Sequence, residues 1–148
     1  KYDYILTMDA DGEHKISNIK RIINSLQINS KASMIIGVRD KKNRYIETII
    51  SKLFNYKYNI LDPLSGFKIY KKNFLEKFIK KISTNFFLVD FICYALSNKK
   101  TISFQKIKVS KRSDTSRIGN VFSSNLKISS CLKLLFYDLN KFEYKKYQ

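Results

Sequence analysis

Asp9 and Asp11 stand two residues apart in Asp9-Ala10-Asp11-Gly12-Glu13-His14, directly after the β-forming run Tyr2 to Met8. In a strand, positions i and i+2 share a face, so the spacing predicts two carboxylates emerging together at the strand's C-terminal end. Paired hard-oxygen donors of this kind suit Mg²⁺ or Mn²⁺, with substrate phosphates completing the shell. A metal held there would neutralise charge developing on a departing diphosphate. Glu13 lies one further i+2 step along, although Gly12 is expected to bend the chain before it. An EF-hand is excluded: counted from Asp9, its obligatory glycine and its bidentate acid would fall on His14 and Lys20. An acidic turn capping the next helix remains the alternative to a metal site.

The elements that must position these residues alternate. After the first strand, Ile16, Ile19, Ile22, Ile23 and Leu26 recur at helical spacing, with Lys20, Arg21 and Asn24 on the outer face. Ala32 to Gly37 reads as a second strand, followed by the basic loop 39–44. Ile46, Ile49, Ile50, Leu53 and Phe54 form a further helical stripe. Asp62-Pro63-Leu64-Ser65-Gly66 is a turn by its Pro and Gly chemistry, and it leads into a short strand, Phe67 to Tyr70. Helices are expected at 73–82 and 87–97, then a strand with a break over 102–109. A polar loop at 112–119 and a last amphipathic helix at 125–140 complete the chain. Strands separated by helices predict an α/β domain with a mostly parallel sheet. Tyr2 to Met8 already reads as strand from the outset, so the chain is expected to be the later part of a longer one.

Composition narrows the classes. Of 148 residues, 44% are hydrophobic and 14% aromatic, which excludes a wholly disordered chain. No apolar run is long enough to span a bilayer. Two cysteines with neither CxxC nor Cys/His spacing exclude a sequence-evident zinc site, and Cys93 and Cys131 fall on apolar helical stripes as core residues. The net charge of +17 suggests an anionic partner, yet the excess is mostly Lys and comes with abundant Ile, Asn, Tyr and Phe. The basic residues are spread along the chain without a nucleic-acid-binding motif, so no nucleic-acid partner is expected.

Four clusters hold all four glycines: Asp9-Ala10-Asp11-Gly12, Gly37-Val38-Arg39, Ser65-Gly66-Phe67 and Ser116-Arg117-Ile118-Gly119. In this order they resemble family 2 glycosyltransferases of the GT-A fold, most of all the polyprenyl-phosphate (dolichyl-phosphate) sugar transferases. Asp9-Ala10-Asp11 stands at the family's DXD-type motif, and Gly37-Val38-Arg39 at its Gly-x-Arg. The segment from Asp62 to Tyr70 matches Asp-x-x-Ser-Gly-Phe-(Arg/Lys)-x-(Tyr/Phe), and Arg112 with Ser116-Arg117 its late arginine and Ser-(Lys/Arg).

The resemblance implies a partial, Rossmann-like GT-A fold lacking its N-terminal nucleotide-binding half. Residues 1–119 would form the metal- and acceptor-side half, and 120–148 a basic amphipathic helix. It implies sugar transfer with inversion from a nucleotide-sugar donor to a lipid-linked (polyprenyl phosphate) or polysaccharide acceptor, as in cell-envelope synthesis. Asp9 and Asp11 would hold Mg²⁺ or Mn²⁺, with Glu13 where relatives place a further ligand. Arg39 would face the acceptor phosphate or donor diphosphate, and Arg112 and Arg117 the nucleotide phosphates. Glu47 occupies the place of a second arginine, for which Arg44 would substitute. Ser65 and Gly66 would approach the acceptor through backbone groups. Asp90 would be the general base for a hydroxyl acceptor, or else a buried structural acid. The expected location is cytoplasmic, with the basic C-terminal helix on the inner membrane surface as one option and a solvated face as the other. Two alternatives remain: an inactive truncated remnant and a basic nucleic-acid-binding module.

Overall fold

The computed structural model describes residues 2–79, 87–110 and 128–135. Within them the chain is α/β: β1 (Tyr4–Thr7), α1 (Ile16–Ile28), β2 (Met34–Arg39), α2 (Tyr45–Tyr58), β3 (Lys68–Lys71), α3 (Lys72–Ile79), α4 (Phe87–Ser97) and β4 (Ile102–Ile107). A 3-10 helix covers Ser130–Leu135, within the expected last helix. The remainder of that helix, the loop 112–119 and most of the segment 120–148 lie outside the described residues.

The four strands form one sheet in the order β1-β3-β2-β4. β2 and β4 pair in parallel, whereas β3 runs antiparallel to both β1 and β2. The expectation of a mostly parallel sheet is thus corrected in one respect. β1, β2 and β4 point the same way, but the sheet is mixed because β3 opposes them. The cause is the segment between α2 and β3. A crossover helix normally returns the chain for a parallel strand. Here Asn59 closes α2 in the left-handed conformation (φ 56°), and Asp62 to Phe67 then reach the C-terminal ends of β1 and β2. Asp62 bonds to Arg39, and the Gly37 amide donates to the Phe67 carbonyl at 2.8 Å, so β3 starts at that edge and must run back down.

Period-two alternation in β2 and β3 divides the core. Met34, Ile36 and Tyr70 face one cluster with Ile50, Phe54, Phe74, Phe78, Phe91 and Ile92 from the helices. Ile35 and Ile69 face another with Ile22 of α1, Phe67 and Ile107. α1 therefore covers one face of the sheet, and α2, α3, α4 and the 3-10 helix the other. Cys93 and Cys131 are free and buried, as expected.

α1 is rotated from its expected stripe. Ile16 and Ile23 are 78% and 49% exposed, while Asn18 and Ser25 are buried beside Ile22. The reason lies outside the helix: Asn18 Nδ2 donates to the Lys108 carbonyl at 2.7 Å and Asn18 Oδ1 accepts from the Lys108 amide at 3.3 Å. This fixes α1 to the exit of β4 by polar bonds. The expected break in the strand 102–109 is real, because β4 ends at Ile107 and Val109 makes an isolated bridge with His14.

Candidate active site

The site assembles at the C-terminal ends of β1 and β2, beneath the turn from Asp62 to Gly66. Asp9 leaves β1 with its carboxylate over Gly66. A Cβ on Gly66 would lie 2.2 Å from Asp9 Oδ2 and 2.5 Å from Cγ, so only glycine admits the aspartate there. His14 stands on the other side, its Nε2 3.7 Å from Asp9 Oδ2. The imidazole is buried, packs tilted against Phe67 with ring centres 4.9 Å apart, and holds the Asp9 carboxyl below its ordinary range against the opposing effect of burial. The Asp9 side chain remains 53% exposed and open to a ligand.

Asp11 Oδ1 accepts the Glu13 amide at 3.1 Å, an Asx turn closed by Gly12 in the left-handed region (φ 77°). Glu13 folds inward instead of following Asp11. It is 3% exposed, and its Oε2 accepts from Asn43 Nδ2 at 3.2 Å. Burial pushes its carboxyl up against the pull of Arg39. The acidic turn does not cap α1: the residue at the helix N-cap is Lys15, without a side-chain cap bond.

Arg39 is 8% exposed and engaged. Its Nε and Nη2 donate to the Asp62 carboxylate at 2.9 and 3.0 Å, its backbone amide adds a third bond at 3.1 Å, and Nη2 meets Glu47 Oε2 at 3.0 Å. Burial opposes the guanidinium charge, but Asp62 and Glu47 more than offset that and hold it firmly protonated. Arg44 Nη1 approaches Glu47 Oε1 at 4.0 Å, which brings Arg44 into this network. Ser65 is fully buried, and its hydroxyl accepts the Phe67 amide at 3.3 Å inside the turn.

Lys68 is a site residue for which sequence reasoning gave no role. It is wholly buried, and its ammonium donates to the Pro63 carbonyl at 3.2 Å and to the Ser65 carbonyl. Burial pushes it down to about 7 despite the pull of Asp62 and Asp9. Its signal in the sequence was its place in Phe67-Lys68-Ile69-Tyr70, where apolar residues on both sides mark a strand covered on both faces.

Asp90 stands apart from this group. It lies in the first turn of α4, 2% exposed, and burial pushes its carboxyl up to about 6. Its charge acts on Cys93 and Cys131 in the helical core. Arg112 and Arg117 lie outside the described residues.

β1 ends at Thr7, so Asp9 and Asp11 lie in the loop that leads to α1, past the strand whose period of two was expected to pair them. Among the described residues no three His, Cys, Asp or Glu side chains converge as a self-sufficient metal group.

No protein-family model matches the sequence, and no curated protein does. Solved structures do. Glucosyl-3-phosphoglycerate synthase from Mycobacterium tuberculosis, in complex with phosphoglyceric acid, superposes with a TM-score of 0.64 at 11% identity over 90% of this chain. The same synthase with Mn²⁺, uridine diphosphate and phosphoglyceric acid gives 0.65 at 10% identity over 93%. The chain spans 50% of the length of each. It therefore has a partial, Rossmann-like GT-A glycosyltransferase fold. Among the described residues no helix is long and apolar enough to cross a membrane.

Proposed function

We propose that this chain is the metal- and acceptor-side half of an inverting family 2 glycosyltransferase that moves a sugar from a nucleotide-sugar donor to a lipid-phosphate or glycan acceptor. The observation that carries this reading is the half-exposed Asp9 carboxylate lodged against Gly66 just past the end of β1, two residues before Asp11 in the sequence. Ligands in α/β sheets of this kind gather at that strand end. The solved synthase with Mn²⁺ and uridine diphosphate bound adds support through its shared fold.

In this reading Asp9 and Asp11 hold Mg²⁺ or Mn²⁺, and the metal supplies countercharge to the departing nucleoside diphosphate. His14 orients the Asp9 carboxylate and keeps it ionised. Arg39, already forked onto Asp62 and touching Glu47, fixes the turn over the site instead of meeting a phosphate. Phosphate contacts fall to Arg44, Arg112 and Arg117. Glu13 supports the loop 39–44 through Asn43. Asp90, raised to about 6, has the basicity of a general base should the acceptor be a hydroxyl; an ionised phosphate acceptor needs none.

The test is release of nucleoside diphosphate from UDP- and GDP-sugars by the complete polypeptide in the presence of Mn²⁺. Asp9→Asn and Asp11→Asn are each expected to reduce it at least 100-fold. Undiminished metal-dependent release by both variants would overturn the assignment.

A further inference from the structure

Lys68 is a costly choice for a fully buried strand position. An ammonium fully removed from water is costly unless its donors are met, and an apolar side chain of similar length is often as stabilising or more so. If the strand alone mattered, Met or Leu would serve at this position between Phe67 and Ile69. What Lys68 adds is direction. Its ammonium reaches back along its own chain to the carbonyls of Pro63 and Ser65, on either side of Leu64. The turn is gripped elsewhere by Arg39 at Asp62 and by the Thr7 hydroxyl at the Gly66 carbonyl, 2.9 Å away. Between those two grips, Lys68 ties down the Pro63 and Ser65 carbonyls, while the Ser65 hydroxyl accepts the Phe67 amide.

We propose that Lys68 is the positioning residue of this site, its buried ammonium holding the turn from Pro63 to Ser65 so that Gly66 presents its bare Cα to the Asp9 carboxylate. Gly66 and Asp9 are close enough that a shift of the turn by a few tenths of an ångström changes the room available to Asp9. In this role Lys68 acts on Asp9 through the turn at Gly66, beside the direct attraction between its charge and the Asp9 carboxylate. The inference rests on the reading of Asp9 as a site residue, and it predicts a local effect separable from overall stability.

Amide hydrogen exchange in the complete polypeptide is the test, read at Ser65, Phe67 and Gly37, whose amides bond within the turn or to it. Lys68→Met is expected to lower protection at these three at least tenfold while global stability changes little or rises. Lys68→Arg, which keeps cationic donors, is expected to restore protection. Phe78→Leu, a core variant away from the turn, is expected to lower global stability without singling out these amides. Should Lys68→Met fail to fold, Lys68→Gln is read in the same way. Unchanged protection in the folded Met or Gln variant, or a loss no more local than that of Phe78→Leu, overturns the proposal.

Titration with Mn²⁺ alone then separates the two readings. Weaker Mn²⁺ binding by the Lys68 variant, with recovery in Lys68→Arg, supports both. Failure of the unmutated protein to bind Mn²⁺ counts against the metal site, while the exchange result still decides the clamp.

Discussion

Asp9 and Gly66 compete for one volume: the carboxylate of the first fills the space a side chain on the second would need, with 2.2 Å separating Asp9 Oδ2 from the place of a Cβ. The two residues lie on different elements, one leaving β1 and the other entering β3. Their contact therefore reports on the placement of the whole turn. Gly66→Ala is expected to destabilise the protein by about 1–3 kcal/mol, the usual cost of overpacking. Combined with Asp9→Ala it should cost clearly less than the two changes summed, because the carboxylate that clashes is gone. Urea denaturation of the two single variants and the double variant checks this.

Arg39 and Asp62 form a buried, two-point ion pair with almost no exposure on either side. Removing one partner leaves the other charge uncompensated, so Arg39→Met or Asp62→Leu alone should cost about 3–5 kcal/mol. The double replacement is expected to recover part of that loss. Thermal denaturation at neutral pH shows whether it does.

Asp90 gives a pH signature. Its carboxyl is raised to about 6 in the folded protein and sits near 3.9 when unfolded. The folded state thus holds a proton that the unfolded state has released, and the associated stability is fully present below about pH 4 and lost as pH rises through about 6. Asp90→Asn, neutral throughout, should be more stable than the parent at pH 8 by up to about 3 kcal/mol and no more stable at pH 4. Parallel denaturation series at the two pH values measure the difference.

Lys99 ends α4 in the left-handed conformation (φ 51°), with the Lys100 amide closing onto the Ala95 carbonyl at 2.7 Å. A Cβ is strained there, and glycine is the usual residue at such a helix end. Lys99→Gly is expected to raise stability by about 1 kcal/mol, seen as a higher denaturation midpoint with an unchanged slope.

The parts of this design that sequence made legible are those written locally. The strand before Asp9 follows from its β-forming run, and Ile35 and Ile69 from alternation. The direction of β3 was not legible, because a helix followed by a strand ordinarily implies a parallel return. What reverses it is a long-range bond from Asp62 to Arg39. The same distance hid the role of Arg39, whose Gly37-Val38-Arg39 setting is visible while its partner lies on another element. Asn18 had no assigned place, since nothing nearby in sequence announces the Lys108 backbone it pairs with.

Among the described strands, β1 pairs with β3 alone, and β3 supplies four residues to hold it. The strand leading to Asp9 and Asp11 is thus anchored at second hand. A fluctuation that frees β3 from β2 also detaches β1 from the rest of the described sheet, whereas β1 can peel away while β3 stays in place. Opening β1 at its β3-bonded amides therefore needs no break between β3 and β2. Among the described strands, the carboxylates hang from the outermost link of a chain of pairings, held through the short strand inside it.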